Sequence, residues 1–304
     1  MLDITLKQLE VFVAAVEYSS FTRAAEELYL TQSTVSAHIR GLETALGAQL
    51  LLRGARRKPV LTEEGRRVYL AAKDILARCQ TLEHPDEPAG DGELTIGAST
   101  VPAQHLLPAL MSGFLRKYGD SRYLLKRGDS VQIHTLLEQG EVRIGFVGAA
   151  LDRKGCLYHP LIDDRLVLVA PADERHLTLK AQGASGLELL DEPMIAREES
   201  SGTRQAFNAF LRRSRRAPEE LRIVACMDSP ESIKNSVARG MGVAVMSQLA
   251  VQEEAAAGRL LTFDLDAQGA FRKIYLVWRR DTVFSQAEQR FVSYVKGAVK
   301  DLNH

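Results

Sequence analysis

Apolar residues recur at intervals of three and four along "TLKQLEVFVAAVEYSS", where Leu6, Leu9, Phe12, Val13 and Val16 share one face. That period predicts an amphipathic helix. Ser20 or Thr22 can cap a second, short helix, "RAAEEL", and Thr31 a third, "QSTVSAHIRGLETALG", for which Gly47 is a suitable stop. Two helices joined by the tight link "YLT" describe a helix-turn-helix. "QLLLRGARRKPVLT" then sets two short apolar runs around a basic turn, the pattern of a β-hairpin or wing. Thr62 opens a long helix, "EEGRRVYLAAKDILARCQTLE", in which Val68, Ala72, Ile75, Cys79 and Leu82 are spaced four, three, four, three. Such a spacing is a heptad seam about two heptads long.

"HPDEPAGDG", residues 84–92, concentrates proline, glycine and acid and reads as a hinge or linker. Beyond it the pattern changes to strands alternating with helices. Strand candidates are "ELTIGA" (93–98), "VRIGFVG" (142–148), "RLVLVAP" (165–171), "PMIAR" (193–197), "LRIVAC" (221–226), "GVAVMS" (242–247) and "KIYLVWR" (273–279). This predicts α/β architecture with largely parallel sheets. The chain thus divides into a mainly α winged helix-turn-helix at 1–61, a linker helix and hinge at 62–91, and an α/β domain at 92–304. The last segment is long enough for two lobes.

Composition narrows the classes further. The 304 residues are 45% hydrophobic and 26% charged, as in ordinary globular proteins. With 39 basic and 39 acidic side chains the net charge is zero, which excludes a generally basic nucleic-acid coat and leaves room for a local basic patch. No run reaches the roughly 18 apolar residues of a membrane span. Asp3, Lys7, Glu10 and Glu17 interrupt the N-terminal stretch, and no basic segment precedes it, so no export signal is expected and the protein is placed in the cytoplasm. Cys79, Cys156 and Cys226 lie far apart and read as buried or semi-buried thiols, and the seven histidines show no metal-ligand spacing. No metal or cofactor is expected.

The densest chemistry at the N-terminus lies in residues 20–58. Ala24 and Ala25 are small enough for two helices to cross closely, and Leu28, Val35, Ile39, Leu42 and Leu46 would form the core. Gln32, Ser33, Thr34, Ser36, His38 and Arg40 then face outward on the third helix. Short amides and hydroxyls near its start can approach bases and phosphates in a major groove. Arg53, Arg56, Arg57 and Lys58 concentrate positive charge on the wing, suited to phosphate contact.

"FTRAAEELYLTQSTVSAHIRGLETALGAQLLLR…LTEEG" resembles the winged helix-turn-helix signature of the LysR-type transcriptional regulators. The resemblance extends through the linker helix into a two-lobed effector domain like the periplasmic binding proteins, and so covers essentially the whole chain. It implies a homodimer or homotetramer that binds a double-stranded DNA operator under control of a small-molecule co-inducer, with RNA polymerase as a partner if the protein activates. On this chain it places the recognition helix at Gln32, Ser33, Thr34, Ser36 and Arg40, behind the cap Thr31, the wing arginine at Arg53, and the dimerisation helix on the seam of Val68, Ala72, Ile75, Cys79 and Leu82. Paired heads would read an imperfectly palindromic operator with half-sites about 34 Å apart or more.

In the α/β half, four junctions between strands and helices carry hydroxyls: "IGASTVP", "KRGDSVQ", "REESSGTR" and "CMDSPES". Helix starts beyond the ends of strands favour anions. The resemblance implies a cleft between lobes 92–163 plus 270–304 and 164–269, with crossings near 162–165 and 267–271. It maps the cleft onto Ser99, Thr100, Ser130, Glu199, Ser200, Ser201, Thr203 and Ser229. "REESSGTR" is most similar to members linked to sulfur assimilation or autotrophic carbon fixation. One departure is Arg143, where the family often has an acid.

Hydroxyls, glycine N–H groups and Arg197 or Arg204 favour a small oxyanion or carboxylate, though Arg204 could equally form a surface salt bridge. A catalytic reading finds little support. "SSGT" is not the G-x-S-x-G nucleophile elbow, Glu198 and Glu199 are adjacent rather than flanking one bond, and no phosphate-binding loop motif occurs. No catalytic residue is assigned. A pure solute-binding protein would share the cleft but would lack the DNA head.

Overall fold

The computed structural model describes residues 3–52, 59–83, 93–119, 121–151 and 155–299. Two compact units make up the chain, Met1–Gly90 and Asp91–His304.

The first unit contains α1 (Leu6–Glu17), α2 (Phe21–Glu27), α3 (Gln32–Leu46) and α4 (Glu63–Glu83). Each of the first three starts on a hydroxyl cap: Thr5, Ser20 and Thr31 accept the backbone N–H three residues on. Gly47 ends α3 in the left-handed region, at φ 63°. Phe12, Ala24, Ala25, Val35, Ile39, Leu42 and Leu50 form the core, with Leu28 packed at its edge. Leu46 does not join them; it sits in the last turn of α3 and is 39% exposed.

After α3 the chain pairs Leu51 with Leu61 antiparallel, and Leu52 N–H donates to the Val60 carbonyl at 2.8 Å. This is the base of the predicted hairpin. Arg53, Arg56, Arg57 and Lys58 lie outside the described residues. The seam predicted along α4 divides. Ala72 is buried, and Val68, Tyr69 and Leu76 pack with it against the head's own core. Ile75 is 38% exposed and Cys79 half-buried, while the Leu82 side chain lies outside the described residues. Val68 and Ala72 are thus covered within the subunit. A four-three spacing looks the same whether the chain itself or a second copy covers it.

The second unit runs β1 (Leu94–Ser99), a π-helical turn (Pro102–Leu106), α5 (Leu107–Tyr118), β2 (Tyr123–Gly128), α6 (Ser130–Glu138), β3 (Ile144–Val147) and β4 (Cys156–Pro171). It continues with α7 (Glu174–Ala181), β5 (Met194–Arg197), α8 (Gly202–Arg213), β6 (Ile223–Met227), α9 (Pro230–Ala238) and β7 (Val243–Ser247). The last elements are α10 (Gln248–Ala256), β8 (Leu260–Asp264), β9 (Ala270–Arg279) and α11 (Gln286–Ala298). The sheet order is β2-β1-β3-β9-β4-β7-β5-β6, with β8 also on β4.

β1 pairs in parallel with β2 and β3, and β5 with β6 and β7. The pairs that join these groups, β3–β9, β4–β9, β4–β7 and β4–β8, are antiparallel. The sheet is therefore mixed rather than largely parallel. The reason is topological: β4 leaves the first lobe for the second and β9 returns beside it, so the two run in opposite directions. β9 meets β3 at Tyr275–Val277 and β4 meets β7 from Leu166 onward, which puts the passage between lobes near residues 162–165 and 271–274.

Each lobe has its own core. Phe114, Phe146, Leu276 and Phe291 lie in one, and Leu168, Phe207, Phe210 and Phe263 in the other. β2 and β8 are not among the strands expected from sequence. β2 is an edge strand whose residues are half-buried or exposed, and so it lacks a strong apolar period. Cys226, on the opposite edge strand β6, is exposed rather than buried.

Candidate functional site

Two surfaces carry the candidate chemistry, one in each unit. In the head, Thr31, Gln32, Ser33 and Arg40 are exposed on and before α3, with Thr34, Ser36 and His38 half-buried beside them. The Thr31 hydroxyl accepts from Thr34 N–H at 3.2 Å and lies 2.8 Å from both the Ser33 and Thr34 hydroxyls. One capping residue therefore organises a cluster of small polar groups at a positive helix end. The Arg40 Nε donates back to the Ser36 carbonyl at 3.2 Å, which lays the guanidinium along the helix. Such a surface offers donors and acceptors to base edges and phosphates.

The second surface is a cleft in the α/β unit. Its walls come from the carboxyl ends of β1, β2 and β5, each of which feeds directly into a helical start. β1 delivers Ser99, Thr100 and Val101; the end of β2 delivers Asp129 and Ser130; β5 delivers Arg197, Glu198 and then Ser201, Gly202 and Thr203. The N-termini of α6 and α8 thus face one space, and their free N–H groups favour an anion there. Arg272 enters from β9.

Arg272 is held from behind. Its Nε donates to Asp164 Oδ2 at 2.8 Å, and the Ser247 hydroxyl donates to Asp164 Oδ1 at 2.6 Å. The Asp164 side chain is fully buried and that of Arg272 is 6% exposed. Two glycines make room for the guanidinium. A Cβ on Gly148 would stand 2.7 Å from Arg272 Nη1, and one on Gly202 2.7 Å from the Gly148 carbonyl oxygen. Ion pairing and close packing fix the head group, yet Arg272 Nη2 is buried without a hydrogen-bond partner. The Ser130 hydroxyl, on a residue 2% exposed, is also buried and unpartnered. Ser99 Oγ is in use, accepting from Gly148 N–H at 3.2 Å. Arg197 is in use as well: its Nε and Nη2 each donate to one oxygen of Glu198 at 2.8 Å.

Of the residues singled out in the sequence, Ser99, Thr100, Ser130, Ser201 and Thr203 come together in the cleft lining. Glu199, Ser200 and Ser229 do not line it. Glu199 is exposed, because adjacent side chains leaving a strand end diverge and Glu198 takes the inward position. Ser229 caps α9 by accepting from Ser232 N–H, the ordinary role of such a serine. Arg204 donates to the Arg197 carbonyl at 3.5 Å and does not line the cleft.

Sequence reasoning missed Arg272 and Asp164, although a signal was available. Both are charged residues in phase with the buried face of a strand, Arg272 with Ala270 and Ile274, Asp164 with Leu166 and Leu168. Phe271, on the opposite face, is 51% exposed. An alternation with charge inside and an aromatic outside marks a buried ion pair. Arg143, the departure from the family pattern, pairs with Glu288 at 3.1 Å and fastens α11 to its lobe. Among the described residues no group of three His, Cys, Asp or Glu side chains is placed to hold a metal ion. No helix among them is long and apolar enough to cross a membrane.

Two family models match the chain: the bacterial regulatory helix-turn-helix protein model of the lysR family over residues 6–66, and the LysR substrate binding domain over residues 89–300. The RuBisCO operon transcriptional regulator of Allochromatium vinosum is 32% identical over 298 residues, 97% of this chain and 96% of that protein. Among solved structures, ArgP from Mycobacterium tuberculosis is similar with a TM-score of 0.74 at 22% identity, covering 98% of both chains. The regulatory domain of Synechocystis PCC6803 CcmR, solved in complex with 2-PG, is similar with a TM-score of 0.62 at 26% identity. That match covers 70% of this chain and all of the solved domain.

Proposed function

Because this chain belongs to the lysR family of bacterial regulatory helix-turn-helix proteins, a family of DNA-binding transcription regulators and not of enzymes, we propose that it is switched by a small oxyanion or carboxylate bound in the cleft of its α/β unit. The observation that carries this reading is the buried, unpartnered Nη2 of Arg272, with the unpartnered Ser130 hydroxyl in the same lining. A buried donor without an acceptor costs about 1–3 kcal/mol, more when charged, so a ligand that supplies the acceptor recovers that free energy. The helix starts at Ser130 and Gly202 add to the attraction. None of the described side chains that line the cleft is aromatic, which favours a compact polar ligand over a large planar one. The complex of CcmR with 2-PG supports a small effector in a similar domain, and the likeness to a RuBisCO operon regulator favours the carbon-fixation branch over sulfur assimilation.

On the DNA side, Gln32, Ser33, Thr34, Ser36 and Arg40 read or position the operator, and Arg53, Arg56, Arg57 and Lys58 contact phosphates. Two copies joined through α4, where Ile75 and Cys79 remain uncovered by the head core, present paired heads. The effector acts by binding one arrangement of the lobes more tightly than another, which shifts how the heads engage DNA and, in an activator, RNA polymerase.

Thermal denaturation of the full chain in inorganic phosphate, sulfate, acetate or 2-PG tests the cleft. A ligand at a hundred times its Kd raises stability by about 2.7 kcal/mol, and Ser130→Ala should reduce that gain. An equal gain in wild type and Ser130→Ala would remove Ser130 from the site. Operator binding should weaken by roughly 10³–10⁵ between 50 and 200 mM salt if the dimer makes six to ten phosphate contacts. Gln32→Ala should cost about 1–3 kcal/mol at one base pair only. Salt-insensitive binding, or a Gln32→Ala loss shared equally by all sequences, would contradict these roles.

A further inference from the structure

The cleft contains an arginine fork that is already occupied by the protein's own carboxylate. Arg197 is 6% exposed and points both Nε and Nη2 at Glu198, each at 2.8 Å from a separate oxygen. Two parallel charge-assisted bonds are the geometry by which arginine recognises a carboxylate or phosphate ligand. Residues next to each other in a strand project to opposite sides. This pair can meet only because β5 ends at Arg197 and the chain turns there, Ser201 N–H donating to the Glu198 carbonyl at 3.0 Å. The Glu198 side chain is 26% exposed. It can therefore swing into water at small desolvation cost, which the buried Asp164 behind Arg272 cannot do.

The two arginines are thus prepared differently. Arg272 has a permanent, buried counter-ion and an unpartnered Nη2; Arg197 has a removable counter-ion that fills its Nε–Nη2 edge. Asp129, also in the lining, spends Oδ1 on the Gln132 N–H of its helix cap and adds a further negative charge. An incoming anion meets this charge as well as the helix starts.

We propose that Glu198 is a resident competitor for the effector: it fills Arg197 in the empty cleft, and only an anion with enough charge and oxygens to engage Arg272 and Arg197 together displaces it. This rests on the anion reading of the cleft. It makes Glu198 a specificity-determining residue, setting the concentration at which the cleft fills and selecting a compact dianion over a monoanion. A monoanion satisfies Arg272 Nη2 and Ser130 and leaves Glu198 seated. A dianion exchanges one bidentate partner of Arg197 for another while also meeting Arg272.

Isothermal titration of the full chain with inorganic phosphate above pH 7.5, and separately with acetate, at matched ionic strength, tests this. Glu198→Gln keeps the shape and removes the charge, and should tighten phosphate binding about tenfold, the size of a modest like-charge term at partly exposed distances. Glu198→Asp keeps the charge and should stay within about twofold of wild type by the same reasoning. Arg197→Met should abolish the gain from Glu198→Gln, because the contested fork is gone. Acetate should respond to Glu198→Gln less than phosphate does. Wild type that binds phosphate while Glu198→Gln binds it equally or more weakly overturns the competitor role and leaves the anion cleft standing. Absence of phosphate binding in wild type and Glu198→Gln alike overturns the anion cleft and this inference together. Circular dichroism of each variant separates loss of binding from loss of fold.

Discussion

Replacing Arg272 by methionine should destabilise the α/β unit by about 3–5 kcal/mol, because it leaves Asp164 buried without its counter-ion. Asp164 has no exposed side-chain surface, and its remaining partner is the Ser247 hydroxyl at 2.6 Å. For a unit of this size such a loss lowers Tm by roughly 6–20 °C. The double variant Arg272→Met with Asp164→Asn should recover much of it, since a neutral amide in the same place carries no stranded charge. A denaturation series on the wild type, both single variants and the double variant measures the coupling directly. Near-additive losses would show that the pair is not acting as a unit. The same substitution should remove the anion response in the double variant, where stability is largely restored. The buried pair thus mounts a charged donor rigidly on the two strands, β4 and β9, that pass between lobes.

Gly65→Ala should have an effect of similar size in the head. Gly65 lies in the first turn of α4, and a Cβ there would overlap the Leu50 carbonyl oxygen and stand 2.8 Å from its carbon. Backbone, unlike a flexible side-chain tip, cannot turn aside. The Leu50 carbonyl also accepts Thr62 N–H at 2.9 Å and the Thr62 hydroxyl at 3.2 Å, and that hydroxyl caps α4 by accepting Gly65 N–H at 2.8 Å. A methyl group forces this knot open. Overpacking of about 1–3 kcal/mol adds to lost hydrogen bonds worth about 1 kcal/mol each, for a total of roughly 3 kcal/mol or more. Operator affinity should fall with it, because Arg53, Arg56, Arg57 and Lys58, proposed to contact phosphates, follow directly on Leu50 and Leu51 in the chain. Unchanged head stability in a urea titration would show that α4 can shift freely away from the hairpin. Gly65 is the glycine of the "LTEEG" that belongs to the family signature, and this contact is a physical reason for it.

Much of the head was legible in the sequence. Its caps, its α3 core positions Val35, Ile39 and Leu42, and its polar outer face all follow from local rules: a 3.6-residue period, hydroxyls before helices and a glycine after one. Leu46 was the exception, since being in phase with a core does not help a residue that lies beyond the core's end. In the cleft, the hydroxyl loops after β1, β2 and β5 could be found because a strand end followed by a helix start is itself a local pattern. Choosing among them could not be done locally. Ser229 and Ser99 are both serines at strand-helix junctions, but one caps its helix and the other lines the cleft.

The feature that most resists sequence reading is the cleft's charge. Arg272 and Asp164 are 108 positions apart and meet only because β4 and β9 lie side by side in opposite directions. The sequence by itself determined the periods, the caps and the candidate donors, since each depends on neighbours within a few residues. Tertiary structure alone decided which donors were left without acceptors. An unpartnered atom is a property of everything packed around it, and whether Arg272 Nη2 and the Ser130 hydroxyl meet an acceptor is fixed by burial and strand pairing rather than by spacing along the chain.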